Sequence, residues 1–125
     1  MFHFAPDSFF HALSDETRLR CVVLLAQQGE LCVCELTCAL GLAQPKISRH
    51  LAILKSAKVL QDRRAGVWIH YKLHEQLPTW AKNILMEIVG GLATQLPYQT
   101  DKQTLLDMPN RPQVLVVCQR EKSTL

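Results

Sequence analysis

Cys32, Cys34 and Cys38 fall within seven residues, in the run Glu30-Leu31-Cys32-Val33-Cys34-Glu35-Leu36-Thr37-Cys38. Cysteine thiolates are soft ligands and select soft or thiophilic ions. Arsenite and antimonite bind three thiolates and keep a lone pair in the fourth direction, so three neighbouring cysteines match their need. A closed structural zinc site asks for four ligands, commonly two cysteines close in sequence with a second, distant pair. No second pair exists in this chain. Cadmium or lead could still borrow the three thiolates, and adjacent cysteines could instead form a disulfide as a thiol-oxidation sensor. Cys21 lies in the apolar run Arg20-Cys21-Val22-Val23 and reads as core packing, and Cys118 reads as a stray thiol or a fourth ligand.

A second chemistry begins a few residues later, in Ala43-Gln44-Pro45-Lys46-Ile47-Ser48-Arg49-His50-Leu51. The net charge of +3 is unevenly spread. Residues 1–42 carry five acids against Arg18 and Arg20, whereas residues 43–72 carry seven basic residues against Asp62 alone. Such a basic block is the electrostatic footprint of contact with nucleic-acid phosphates. Gln44 and Arg49 have the donor geometry for base edges, and Lys46 and Ser48 suit phosphates. His50 is a weaker candidate, and Arg63 and Arg64 would reach backbone or minor groove from a second element. A thiophilic trap beside a DNA reader describes a metal-sensing repressor.

Positioning these residues requires particular elements. Phe9, Phe10 and Leu13 suggest a short apolar helix. Ser14 can cap the next one, in which Leu19, Val22, Val23 and Ala26 recur at helical spacing until Gly29. Val33 to Leu40 forms a short helix closed by Gly41. Gln44-Pro45 opens another, with Ile47, Leu51 and Leu54 on one inward face. Two helices around a tight turn make a helix-turn-helix, whose second helix enters the major groove with its N-terminal residues nearest the bases. Cys34 and Cys38 then share a helix face, and Cys32 must lie outside the helix, or the first turn must unwind, for all three sulfurs to meet.

The period then changes to two. Val67, Ile69, Tyr71 and Leu73 alternate with Trp68, His70 and Lys72, giving a half-buried strand paired with Val59 to Arg64 through a turn at Ala65-Gly66. That hairpin is a wing. Pro78 to Leu92 is helical again, with Trp80, Ile84, Leu85, Ile88, Val89 and Leu92 apolar. This stripe is wider than one packing partner requires and, with the Phe9-Phe10 helix, reads as a dimer interface. The expected fold is mainly α with a β-hairpin wing, a dimeric winged helix-turn-helix. Residues 1–93 would be the DNA-binding and dimerisation domain, and 94–125 a loosely ordered C-terminal tail ending in the apolar Val114–Cys118 run.

The segments around Cys32 to Leu36, Gln44 to Leu51 and Asp62-Arg63-Arg64-Ala65-Gly66-Val67-Trp68-Ile69-His70-Tyr71-Lys72-Leu73 closely resemble the ArsR/SmtB winged-helix repressors, above all their arsenical-resistance members. The resemblance covers residues 10 to 92 and implies a homodimer that binds operator DNA and leaves it when As(III) or Sb(III) binds the thiolates as inducer. It departs at one place. The family's third cysteine lies three residues after the second, where this chain has Thr37, with Cys38 following. Relatives that sense zinc or cadmium use a histidine and acid cluster on the last helix or extra N-terminal cysteines; residues 78–92 have no histidine and residues 1–20 no cysteine.

At 125 residues and 48% hydrophobic content, one small domain with a limited core is expected. No run of eighteen apolar residues is present and the N-terminus lacks the pattern of a signal peptide, so a cytoplasmic protein without membrane contact is expected. In the reducing cytosol clustered cysteines point to metal or redox chemistry. No C-x5-R, C-x-x-C or glycine-rich phosphate loop occurs, which argues against thiol-based catalysis, so no catalytic residue is assigned.

Overall fold

The computed structural model describes residues 2–109. Along these the order is α1 (Pro6–Leu13), α2 (Glu16–Gln28), β1 (Glu30–Cys32), α3 (Val33–Leu40), α4 (Gln44–Ser56), β2 (Leu60–Ala65), β3 (Trp68–Leu73), α5 (Thr79–Leu92) and α6 (Tyr98–Leu106). The fold is mainly helical with a small antiparallel sheet, a winged helix-turn-helix.

Helix α2 is the hub, touching α1, α4, α5, α6 and two strands. Its Cys21, Val22, Val23, Leu24 and Leu25 are all buried, so apolar side chains point in nearly every direction from it. The N-cap is Asp15, whose carboxylate accepts the Arg18 amide at 3.1 Å. Ser14, expected in that place, turns back and donates to the His11 carbonyl at 2.7 Å, finishing α1 instead. A charged acceptor one residue nearer the helix makes the stronger cap.

Helices α3 and α4 form the helix-turn-helix, with Gly41 between them in the left-handed region at φ 67°, a conformation that glycine adopts without a Cβ penalty. Helix α4 is anchored by Ile47, Leu51 and Leu54, each fully buried. Burying three such side chains supplies about 1.5–3 kcal/mol apiece. The contact of Arg18 Nη1 with His50 Nδ1 at 3.2 Å adds orientation more than stability.

The wing departs from expectation in two ways. Its turn lies at Gly66-Val67, and Val67 projects into solvent at 75% exposure instead of joining the inward face. The sheet also has a third strand, in the order β1-β3-β2, with Glu30, Leu31 and Cys32 opposite Lys72, Tyr71 and His70. Three residues are too few to show a period of two, so β1 is created by its partner.

The chain expected to lie loosely from 94 onwards instead forms α6 against α2 and α3 over residues 98–106. Tyr98, Asp101 and Leu105 are buried there. Arg20 grips both Asp101 oxygens, at 2.8 and 2.7 Å, and also donates to the Leu40 carbonyl at 3.1 Å. One guanidinium thus ties α6 to α2 and to the end of α3. The apolar period of α6 is weak because its docking rests on two side chains, Tyr98 and Leu105, and the part-buried Arg20–Asp101 ion pair. The Val114–Cys118 run, and Cys118 with it, lies outside the described residues.

Removing one partner of a buried ion pair strands the other's charge. Arg20 is only part-buried and keeps the Leu40 carbonyl, so Asp101→Ala should lower stability by about 1.5–3 kcal/mol, read from the urea midpoint at constant slope.

Candidate functional site

The cysteine run is divided between elements. Cys32 ends β1 and serves as N-cap of α3, Cys34 lies in the first turn of α3, and Cys38 lies one turn further on. Cys32 thus stands outside the helix, one of the two arrangements that allow its sulfur to reach that of Cys34. The two are joined as a disulfide, with Cα atoms 5.4 Å apart. Cys38 is exposed and separate from that pair. Among the described residues no three His, Cys, Asp or Glu side chains converge as a metal-binding group.

Glu35 fixes this corner. Its Oε1 accepts the Cys32 amide at 2.9 Å, and the residue is only 3% exposed. Its place three residues after the cap is the reciprocal capping spacing, a signal present in the sequence and not used there. Thr37, standing where the resemblance puts a cysteine, has a buried hydroxyl with no hydrogen-bond partner. Cys21 is fully buried, as expected, and burial pushes its thiol up to about 12.

Helix α4 presents Gln44, Lys46, Ser48 and Arg49 to solvent around the buried Ile47. His50 differs from them. Its ring is 12% exposed and turns toward α2, against Arg18 and 3.8 Å from Asp15. Burial, with help from Arg18, holds its pKa below the usual imidazole range despite the pull of Asp15. Arg18, itself 8% exposed, donates through Nε to the Ala12 carbonyl at 2.7 Å, so it spans α1, α2 and α4. The sequence reading missed this arginine, which carries no local motif.

The wing's two arginines also diverge. Arg63 is held by Glu30, with contacts of 2.6 to 3.1 Å to both carboxylate oxygens. The hydrogen bonds from Arg63 depress the Glu30 pKa. Arg64 is exposed. Within the basic block Lys55 pairs with Asp62 and Lys72 with Glu75. Among the described residues Lys46, Arg49 and Arg64 have no carboxylate within 4.0 Å, so these charges remain available to an outside anion.

His70 belongs to β3. It lies directly opposite Cys32 across the β1–β3 ladder and opposite Arg63 across β2–β3. Its Nε2 is buried without a hydrogen-bond partner, and burial, then Arg63, lowers its pKa.

Between α1 and α5 lies an apolar groove of about 520 Å³ lined by Phe10, Leu13, Leu19, Ile84, Ile88 and Leu92. Phe10 in that lining is 50% exposed, and Trp80, whose ring centre lies 6.2 Å from that of Phe10, is 42% exposed. No described helix is long and apolar enough to cross a membrane.

Residues 15–61 match the family described as "Bacterial regulatory protein, arsR family". The chain is 49% identical over 113 residues to the arsenic resistance transcriptional regulator ArsR1 of Pseudomonas putida, covering 90% of this chain and 87% of that one. It is 52% identical over 82 residues to the arsenical resistance operon repressor of Escherichia coli, covering 66% of this chain and 70% of that one. In three dimensions it is similar to the antimony-specific transcriptional repressor AntR, with a TM-score of 0.55, 29% identity, and coverage of 70% of this chain and 78% of that one.

The two free thiols of the described chain differ in access and therefore in reactivity. Burial, which pushes the Cys21 thiol up to about 12, leaves it little of the reactive thiolate at pH 8. Iodoacetamide should label Cys38 in the native protein and reach Cys21 only after denaturation, as read by peptide mass mapping.

Proposed function

The chain belongs to the arsR family of bacterial regulatory proteins, and from that premise we propose that it is a repressor released from operator DNA by As(III) or Sb(III) bound at Cys32, Cys34 and Cys38. It is a regulator of transcription and not an enzyme. The observation that carries the inducer reading is the position of Cys32, on a strand outside α3 with its sulfur against that of Cys34. Cys38, four residues after Cys34 on the same helix face, completes a set of three.

In the reduced chain, arsenous acid would condense with three thiols, each giving up its proton to one arsenic-bound hydroxide. Three As–S bonds form and three waters leave. Drawing Cys38 into that triangle stresses α3, the first helix of the helix-turn-helix, while Cys32 pulls on β1 and so on the wing sheet. A coupling of about 1–3 kcal/mol between the two sites is enough to lower operator affinity five- to hundredfold.

On the DNA side, Gln44, Lys46, Ser48 and Arg49 would meet base edges and phosphates, with Arg64 on the backbone. His50, packed on α2, would hold the helix from behind. Arg63 would reach DNA from its pairing with Glu30. A second copy of the chain would cover the α1–α5 groove, giving two recognition helices for a symmetric operator.

A thiol-redox reading is favoured by one observation, the Cys32–Cys34 link. Anisotropy of labelled upstream DNA, with reduced protein titrated with arsenite, cadmium or zinc, separates the readings. Release by arsenite alone is expected, and release by cadmium or zinc instead would move the function to divalent ions. Operator affinity that follows the oxidation state without any metalloid would favour the redox reading. Cys32→Ser, Cys34→Ser and Cys38→Ala should each abolish arsenite release; induction intact in all three would sink the proposal. Arg49→Ala should weaken operator binding by about 1–3 kcal/mol and leave arsenite binding unchanged, in the same assay.

A further inference from the structure

One face of the three-stranded sheet brings a nitrogen ligand to the cysteine corner. Residues alternate across a strand, so Cys32 and His70, paired across β1 and β3, project from the same face. Directly opposed residues have Cβ atoms about 4.5–5.5 Å apart, close enough for a sulfur and an imidazole to share one ion. The His70 Nε2 is buried and makes no hydrogen bond. A buried polar atom normally has a partner, so one left without calls for an explanation. Glu30 and Arg63 flank the same face, joined to each other, so neither engages that nitrogen.

We propose that His70 is a fourth donor at the cysteine site, engaged by soft divalent cations and left out by trivalent metalloids. This rests on the reading of Cys32, Cys34 and Cys38 as the thiolate set. A pyramidal trivalent ion is satisfied by three sulfurs, its lone pair filling the remaining direction. A zinc-like ion is tetrahedral and takes sulfur and imidazole nitrogen together. On binding, the thiols release their protons to solvent, and the neutral imidazole supplies a lone pair from Nε2 without any redox change. The coordination number of the ion then decides whether β3, and with it the wing, is tied to the cysteine corner. Specificity would reside in one residue outside the cysteine motif.

The test uses the full chain, reduced, with cobalt(II) as the divalent probe. Wild-type protein should bind one Co²⁺ with visible bands of a tetrahedral sulfur–nitrogen site and near-ultraviolet sulfur-to-cobalt charge transfer. His70→Gln should lower Co²⁺ affinity roughly tenfold or more and shift the visible bands, while arsenite affinity stays unchanged. His70→Asn, with a shorter side chain, should behave alike and guards against a folding defect, which arsenite binding and circular dichroism also report. An unchanged cobalt spectrum and affinity in both variants overturns the proposal, as does a parallel loss of arsenite and cobalt binding, or no cobalt binding by wild type. If wild type binds no arsenite but its cobalt binding depends on His70, the inducer reading fails and this one stands.

Discussion

The pairing of β1 with β3 is the constraint on which the rest of the structure depends. Three residues, Glu30 to Cys32, are held by backbone hydrogen bonds to the strand that leads out of the wing. Because the strand ends at Cys32, the helix must begin at Val33, and because it begins there, Cys34 falls in its first turn. The same ladder sets His70 beside Cys32 and brings Glu30 within reach of Arg63. Cysteine corner and wing are therefore two ends of one sheet.

Around that sheet the fold divides its work by energy scale. The recognition helix is seated by fully buried Ile47, Leu51 and Leu54, whose burial far outweighs what any surface ion pair on this molecule contributes. Polar contacts instead set direction. Arg18 fixes the tilt of α4 through His50, and Arg20 ties α6 to α3 through Asp101 and the Leu40 carbonyl. The part-buried Arg18–His50 contact is cheap to rearrange beside the apolar anchor.

Much of the molecule was legible in the chain. The 3.6-residue apolar spacing marked α2, α4 and α5, Gly41 marked the end of α3, and alternation marked the wing. The basic block marked the segment that became α4 and the wing hairpin. Apart from the capping spacing of Glu35, what escaped had no local signature. Strand β1 is too short for a period, α6 is held by an ion pair between residues 81 apart in sequence, and the inward turn of His50 follows from Arg18 on another helix. Val67 fitted the alternation and still left the face, because the tight turn at Gly66 claims it.

By itself, then, the sequence determined the helices, the hairpin, the charge of the recognition element and the number of thiols available, since propensity, periodicity and composition act over a few neighbouring residues. The tertiary structure alone decided which thiols meet, which arginine is already paired, and which histidine stands beside the cysteines. Those depend on strand register and helix docking between distant segments, and a cross-strand neighbour such as Cys32 and His70 does not exist until backbone hydrogen bonds set the two strands side by side.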